Sequence, residues 1–506
     1  MKSAVGIALA LMIVLLTASL TEAELRLKST QQQNDEAAKK VERKFKQYKR
    51  VHQEILKKIV EGKEAQALDE LAIILSVVPK DGESHYMKAV CHARLGMLEL
   101  AVEDVRNALE LGLEPSRFRG GTKTGLEALR GNEAFESLFD GIQSGIVHGP
   151  MVGQNSGVGL SIWLRTIKET KVRIRCWEKT KPEVVTVGNG RSTSAKDFTA
   201  VVELKGLKAN TQYQYSVELE CVPDHLDLFT TRTLAETGRP VEFDVAFGGG
   251  AGYVPQHEYM WKTIGRSHPD VLMLLGDNVY SDAPEIPEMQ HYCYYRRQSR
   301  PEFRELVSKA SVYTIWDDHD FGTNDCQGGP EIKTPDWKIP VWNVFRNNWV
   351  NPSYGGGPKQ PGVWYDYYIG DVHFIMTDGR IYRDLKPKDG SRPTMLGAEQ
   401  LKWLKKSIAD SKGTFTVLVS PVPWVFGAKG DSKDTWNGFK IERNEILDVI
   451  AQTKKDGVLL MSADRHRSDL WKIDHDGVYP LYEFNSSRLT NQHVHQDLTA
   501  AEFSYN

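Results

Sequence analysis

Four times in the second half of the chain, a run of apolar residues breaks off directly into carboxylates, an imidazole or a guanidinium: LGDNVY (275–280), WDDHDFGTND (316–325), TDGRIYR (377–383) and SADRHRS (462–468). In open α/β sheets, ligands gather where strands end. Asp277, Tyr280, Asp317, Asp318, Asp464 and His466 brought to one end of a sheet would repel one another strongly unless cations held them. A polynuclear metal site resolves that conflict. Carboxylates favour hard ions such as calcium or manganese, whereas imidazole with phenolate also suits iron or zinc, and residue type alone does not choose among them. Each motif alone reads equally as a turn or a helix cap; their order and strand context carry the inference.

The stretch that holds these motifs alternates short apolar runs with amphipathic ones. FDVAFGG (243–249), DVLMLLGD (270–277), SVYTIWDD (311–318), DVHFIMTDGR (371–380), TFTVLVS (414–420) and GVLLMSAD (457–464) read as strands, while HEYMWKTIGR (257–266), AEQLKWLKKSIADS (398–411) and RNEILDVIAQT (443–453) read as helices. That order predicts a layered α/β domain over 241–506. Two details carry less weight. DSKDTWNGFKIE (431–442) has its glycine at the wrong place for a calcium-binding loop, and the His493, His495 pair, which could bind metal from one side of a strand, reads rather as ordinary polar contacts. Arg296 and Arg297 either add cations beside the substrate or sit on a surface helix.

At about 150 residues per domain, 506 residues suggest three domains. The segment MKSAVGIALALMIVLLTASLTEA (1–23) has the charge, apolar run and small-residue end of a secretory signal. Its apolar run from Ala4 to Leu16 is shorter than the roughly 18 residues a membrane span needs. The mature chain is therefore expected to be exported, secreted or held in the periplasm or cell envelope, with no transmembrane anchor after cleavage. Sixty-four Lys+Arg against 67 Asp+Glu leave a net charge of −3, which gives no global drive towards nucleic acid and no expectation of a specific nucleic-acid reader. Locally, Lys39, Lys40, Arg43, Lys44, Lys46, Lys49 and Arg50 surround Phe45 and Tyr48, as a solvated helix face or a surface for a polyanion or membrane.

Residues 31–145 are helix-favouring. Gly62 and Gly96, Ala67 and Ala101, Leu71 and Val105, and Ile74 and Ala108 recur at a spacing of about 34 residues, the length of a helix pair, with Pro79 and Pro115 as stop signals. The region resembles tetratricopeptide repeats, with a third helical piece at 125–139 expected to cap the array and a protein partner expected to bind it. Over 148–235 the pattern turns alternating: SIWLR, KVRIRCW, FTAVVEL and TQYQYSVELE predict a β-sandwich, with Tyr213, Tyr215, Val217 and Leu219 on one face. LKGLKANTQYQYSV resembles fibronectin type III domains, in which the tyrosine packs back on the preceding turn. Five cysteines in an exported chain permit two disulfides, Cys176–Cys221 and Cys293–Cys326, or else buried thiols; Cys91 reads as core.

Through FGGGAGY, LGDNVYSD, IWDDHDFGTND, DGRIYR, MLGAEQLKWL, DTWNGFKIER and SADRHRS, the region 241–506 resembles the PhoD-type alkaline phosphatase/phosphodiesterase branch of the calcineurin-like metallophosphatases. The resemblance implies a four-layer α/β domain whose two sheets converge on two or more divalent or trivalent metal ions, calcium first, with iron, manganese or zinc as alternatives. It implies Asp277 as a bridging carboxylate, Tyr280 as a phenolate ligand, and Asp318, Asp464 and His466 as further ligands. It also implies His319 as proton donor or charge stabiliser, with Arg380 and Asn324 on the substrate. A metal-bridged hydroxide would attack a phosphate ester. Two positions depart from the pattern: Gly250 stands where these enzymes carry an iron-binding cysteine, and Ser420 where calcineurin-like enzymes place a metal-binding His or Asn. The alternative to an exported phosphatase/phosphodiesterase is a weakly catalytic member of the fold that binds partners through its helical repeats.

Overall fold

The computed structural model describes residues 48–120, 123–494 and 503–505; the signal segment, the basic residues from Lys39 to Lys46, Phe45 and His495 lie outside them. Among the described residues no helix is long and apolar enough to cross a membrane.

The chain opens on two helix pairs, α1 (Tyr48–Val60) with α2 (Glu64–Val77), and α3 (Gly82–Arg94) with α4 (Leu98–Glu110). Gly62 and Gly96 make equivalent turns, each at φ +74° with open space where a Cβ would stand, so conformation rather than crowding asks for glycine there. The other residues at the repeat spacing are buried, from Ala67 and Ala101 to Ile74 and Ala108. Asp81 caps α3 through the Ser84 amide at 3.1 Å. Two short helices follow, α5 (Pro115–Arg119) and α6 (Glu133–Ser137). The expected capping helix at 125–139 is therefore a 3-10 turn, Glu127–Leu129, and the five residues of α6, which Asn132 caps. Gly131 interrupts it at φ +78°.

Seven strands come next: β1 (Ile146–Gly153), β2 (Gly159–Thr166), β3 (Thr170–Glu178), β4 (Lys181–Ser192), β5 (Thr199–Lys205), β6 (Gln212–Leu219) and β7 (Val222–Arg232). β4, β3, β6 and β7 form one four-stranded sheet. Tyr213, Tyr215, Val217 and Leu219 are buried on its inner face, and the Tyr213 hydroxyl accepts the Lys208 amide at 2.9 Å. β1, β2 and β5 pack against that sheet around a shared core that includes Ile162, Ile174 and Val202. They are not a sheet of their own. β1 pairs in parallel with β10 (Ser311–Ile315), which continues through β9 (Val271–Leu275) to β8 (Val245–Gly248), in the order β5-β2-β1-β10-β9-β8.

The second large sheet holds β11 (Tyr365–Ile369), β12 (Val372–Met376), β13 (Phe415–Val419), β14 (Val458–Ser462), β15 (Ser468–Ile473), β16 (Leu481–Ser486) and β17 (Phe503–Tyr505), in the order β11-β12-β13-β14-β16-β15-β17. β12, β13, β14 and β16 run parallel, so their carboxyl ends share one rim. Around the sheets lie α7 (Tyr259–Arg266), α8 (Pro287–Gln298), α9 (Pro301–Val307), α10 (Asp318–Phe321), α11 (Lys338–Asn348), α12 (Gly397–Asp410) and α13 (Lys440–Thr453). α8 is buried on nearly every face, which removes both readings of its arginines. Arg297 pairs with Glu258, and Arg296 stacks 4.4 Å over Tyr253.

Of the two alternatives for the cysteines, the structure shows thiols: all five are free. Cys176 points into the sandwich core, where burial pushes its thiol up to about 12, and Cys293 donates to the Tyr280 carbonyl at 3.4 Å. Alkylation of denatured, non-reduced protein is expected to label all five cysteines in mass mapping; any peptide pair linked by a disulfide would contradict this.

Candidate metal centre

Asp277 and Asn278 follow β9, and Asp317 and Asp318 follow β10, neighbouring strands of the first sheet. Asp320 sets the two loops against each other: its carboxylate accepts the backbone amides of Asp317, Asn278 and Val279 at 3.1–3.2 Å. The result brings donor atoms of Asp277, Asp318 and His319 within 4.8 Å of one another. Tyr280 donates to Asp277 Oδ2 at 2.7 Å and accepts from Asn491 Nδ2 at 2.7 Å. The ring of Tyr280 lies 4.2 Å from that of His319, whose Nδ1 is held by Asp282. From the second sheet, the loop after β14 brings Asp464 and His466 to the same cavity, which has a volume of about 1030 Å3. Asn324 lies on its wall.

The backbone is held in unusual conformations here. Asp277, Asp282, Asp325, Asp464 and His466 all have positive φ, between +51° and +62°. Such residues cost about 1 kcal/mol or more each and collect where a site has to be shaped. Burial, then the neighbouring Asp318 and Asp317, drive the Asp277 carboxyl well above the usual carboxylate range, although His319 opposes this. Asp318 moves the other way: Arg380, His319 and the Asp325 amide outweigh its burial and hold it ionised. Burial works against charge on His319 too, but Asp318, Asp277 and Asp282 lift it to about 10. Crowded buried carboxylates of this kind fit hard cations, which would relieve the repulsion that raises Asp277. A second group, Asp318, Asp325 and Asp434, also has its oxygens within 4.8 Å.

Arg380 takes a different place from the one the motif suggested. It is fully buried, with Nε on Asp317 and its fork on Asp434 at 2.6 and 3.1 Å, and it does not line the cavity. A guanidinium engaged by two carboxylates ties the loop after β12 to the loop after β10, which makes Arg380 a positioning residue. The cations on the cavity wall include Lys429, Lys49 and Arg50. Lys429 Nζ bonds both oxygens of Asp464, at 3.0 and 2.8 Å. His493 also lines the cavity, and its carbonyl makes a polar contact with His466 Nδ1 at 3.1 Å. Ser420 stays outside, accepting from Trp436 Nε1 at 3.1 Å. Gly250 adopts φ +71° beside Arg488.

Sequence reading missed Asp282, Asp434, Lys429 and Asn491. Asp282 was within reach, as it closes LGDNVYSD. Asp434 stood in the stretch set aside as a poor calcium loop, where its partners, Arg380 and Arg383, were invisible.

A family model for PhoD-like phosphatase matches residues 245–505. The chain belongs to the PhoD-like phosphatase family. A second model, a domain of unknown function (DUF7800), matches residues 143–224, the strands ahead of the PhoD-like region. Alkaline phosphatase D of Bacillus subtilis (strain 168) is 24% identical over 344 residues, 58% of this chain and 58% of that relative's length. A solved structure of PhoD superposes with a TM-score of 0.58 at 18% identity, over 68% of this chain and 77% of that one, which shows a common fold. A purple acid phosphatase from yellow lupin (Lupinus luteus) seeds aligns at a TM-score of 0.47 and 12% identity, over 67% of this chain and 65% of that one.

Proposed function

We propose that this PhoD-like chain is an exported, metal-dependent phosphatase or phosphodiesterase. The observation that carries the reading is the meeting of Asp277, Asp318 and His319 from one sheet with Asp464 and His466 from the other around one cavity. Asp277, Tyr280, Asp318, Asp464 and His466 would hold the ions, two or more, with calcium the first candidate among calcium, iron, manganese and zinc. Bound there, such ions supply Lewis acidity and neutralise the charge that develops on a transferring phosphoryl group. Asp282 holds His319 through Nδ1 and leaves Nε2 as the nitrogen that delivers a proton or stabilises charge. Tyr280 and Asn491 fix the orientation of the Asp277 carboxylate, and Asn324 offers an amide to substrate oxygens. Export rests on the apolar segment within residues 1–23.

The test combines elemental analysis of the purified full chain with hydrolysis of p-nitrophenyl phosphate and bis(p-nitrophenyl) phosphate. Bound metal, turnover of at least one ester, and its loss on chelation are expected. Protein that binds no metal from a panel of ions and cleaves neither ester would leave the scaffold reading in its place.

A further inference from the structure

The cavity has a wall that neither matched family segment supplies. α1 lies ahead of both, yet its first turn reaches the metal-site loops. Its apolar stripe, Val51, Ile55 and Ile59, is buried, and the Tyr48 hydroxyl donates to Asp81 at 2.7 Å. On the side facing the site, Gln53 Nε2 donates to the Tyr280 carbonyl at 2.6 Å and to Asp282 Oδ2 at 2.7 Å. That docking sets the register of the preceding turn. Lys49 Nζ sits 3.6 Å over the Tyr280 ring, and Lys49 and Arg50 line the same cavity as Asp277, Asp318 and His319. Two residues of the basic cluster are thus turned into the site.

The cavity, at about 1030 Å3, reaches the upper end of the 300–1,000 Å3 range typical of ligand pockets, so it has room well beyond a reacting phosphate. Cations on a wall built by a separate element suit a second negative group on the same substrate. We propose that Lys49 and Arg50 form a subsite for a second anionic group, so that the preferred substrates are phosphate esters carrying a further phosphate. The inference rests on the phosphoesterase reading and sharpens it to a substrate class.

The test uses two sugars that differ by one phosphate, glucose 6-phosphate and glucose 1,6-bisphosphate. Calorimetric dissociation constants and, where turnover occurs, kcat/KM are measured on the full chain, on Lys49→Gln/Arg50→Gln, and on Arg50→Gln alone, an exposed position. Lys57→Gln, an exposed change on the same helix, is the control. The unaltered chain should favour the bisphosphate by about tenfold, the scale of one charge-assisted contact. The double variant should bring that ratio close to one, with the effect in KM rather than kcat, and added salt should erode the preference in the parent but not in the variant. Lys57→Gln should keep the parental ratio. A bisphosphate preference that persists in the double variant, or no preference in the parent, overturns the subsite even if both esters are hydrolysed. Discriminating binding without hydrolysis of any ester would instead sink the phosphoesterase reading and leave the subsite standing.

Discussion

Replacing Asp277 by alanine is expected to lower kcat for phosphate-ester hydrolysis by on the order of a thousandfold or more and to reduce the bound metal. Asp277 is the point at which the rest of the centre meets. Its carboxylate accepts the Tyr280 hydroxyl on Oδ2 and the His319 amide on Oδ1 at 3.4 Å, and lies close to Asp318. Its left-handed backbone, at φ +53°, aims the side chain into the cavity, and alanine removes the ligand from that direction. Asp277→Asn separates charge from shape, because it keeps the size and the tolerance of positive φ while removing the negative charge. Steady-state kinetics with saturating metal, paired with elemental analysis, reads both effects. Alanine protein that retains more than a tenth of the parental kcat would remove Asp277 from the centre.

Arg380→Met should unfold at a midpoint lower by roughly 10 °C, in the absence of any substrate. The guanidinium is fully buried between Asp317 and Asp434, and Asp317 Oδ2 already lacks a hydrogen-bond partner. Removing the cation strands those carboxylates, and breaking such a buried pair costs about 3–5 kcal/mol, at roughly 2–4 °C per kcal/mol for a domain of this size. Activity should fall as well, because Asp317 and Asp318 share the loop that Arg380 anchors. Thermal unfolding distinguishes this from contact with substrate: an unchanged midpoint with a raised KM would return Arg380 to the substrate and contradict its role as an anchor.

Much of the candidate centre could be read from the chain because the residues that line it sit at strand ends. An apolar run such as VLMLL has to be a buried strand, so the Asp two residues beyond it has to stand on the rim. Every one of the six runs read as strands after Val241 contains a strand of the structure. What could not be read was which polar groups answer one another across loops. Arg380 looked like a phosphate clamp because its motif shows a free guanidinium; the carboxylate that engages it, Asp434, is more than fifty residues away in sequence and was placed by the packing of Trp436 on Trp424. Lys49 posed the same difficulty. In a run of lysines nothing distinguishes the one that turns inward, and only the docking of Gln53 on Tyr280 and Asp282 does so. The cysteines read equally as disulfides or as thiols, and the fold decides between them. Sharing a domain does not make two cysteines meet: Cys176 faces a core that its thiol helps to fill.

The pairing of β1 with β10 has a consequence for how this molecule can be divided. Two family models meet between residues 224 and 245, which invites excision of the later part as a free-standing enzyme. A cut there would strip β1 from β10 and leave β10 as an edge strand with unpaired amides and carbonyls, prone to join other chains. β10 is also the strand from which Asp317 and Asp318 hang, so the frayed margin and the candidate metal centre would be neighbours. The strands ahead of the PhoD-like region supply the other half of its first sheet, so the margin of the candidate centre is finished by residues outside the matched phosphatase segment.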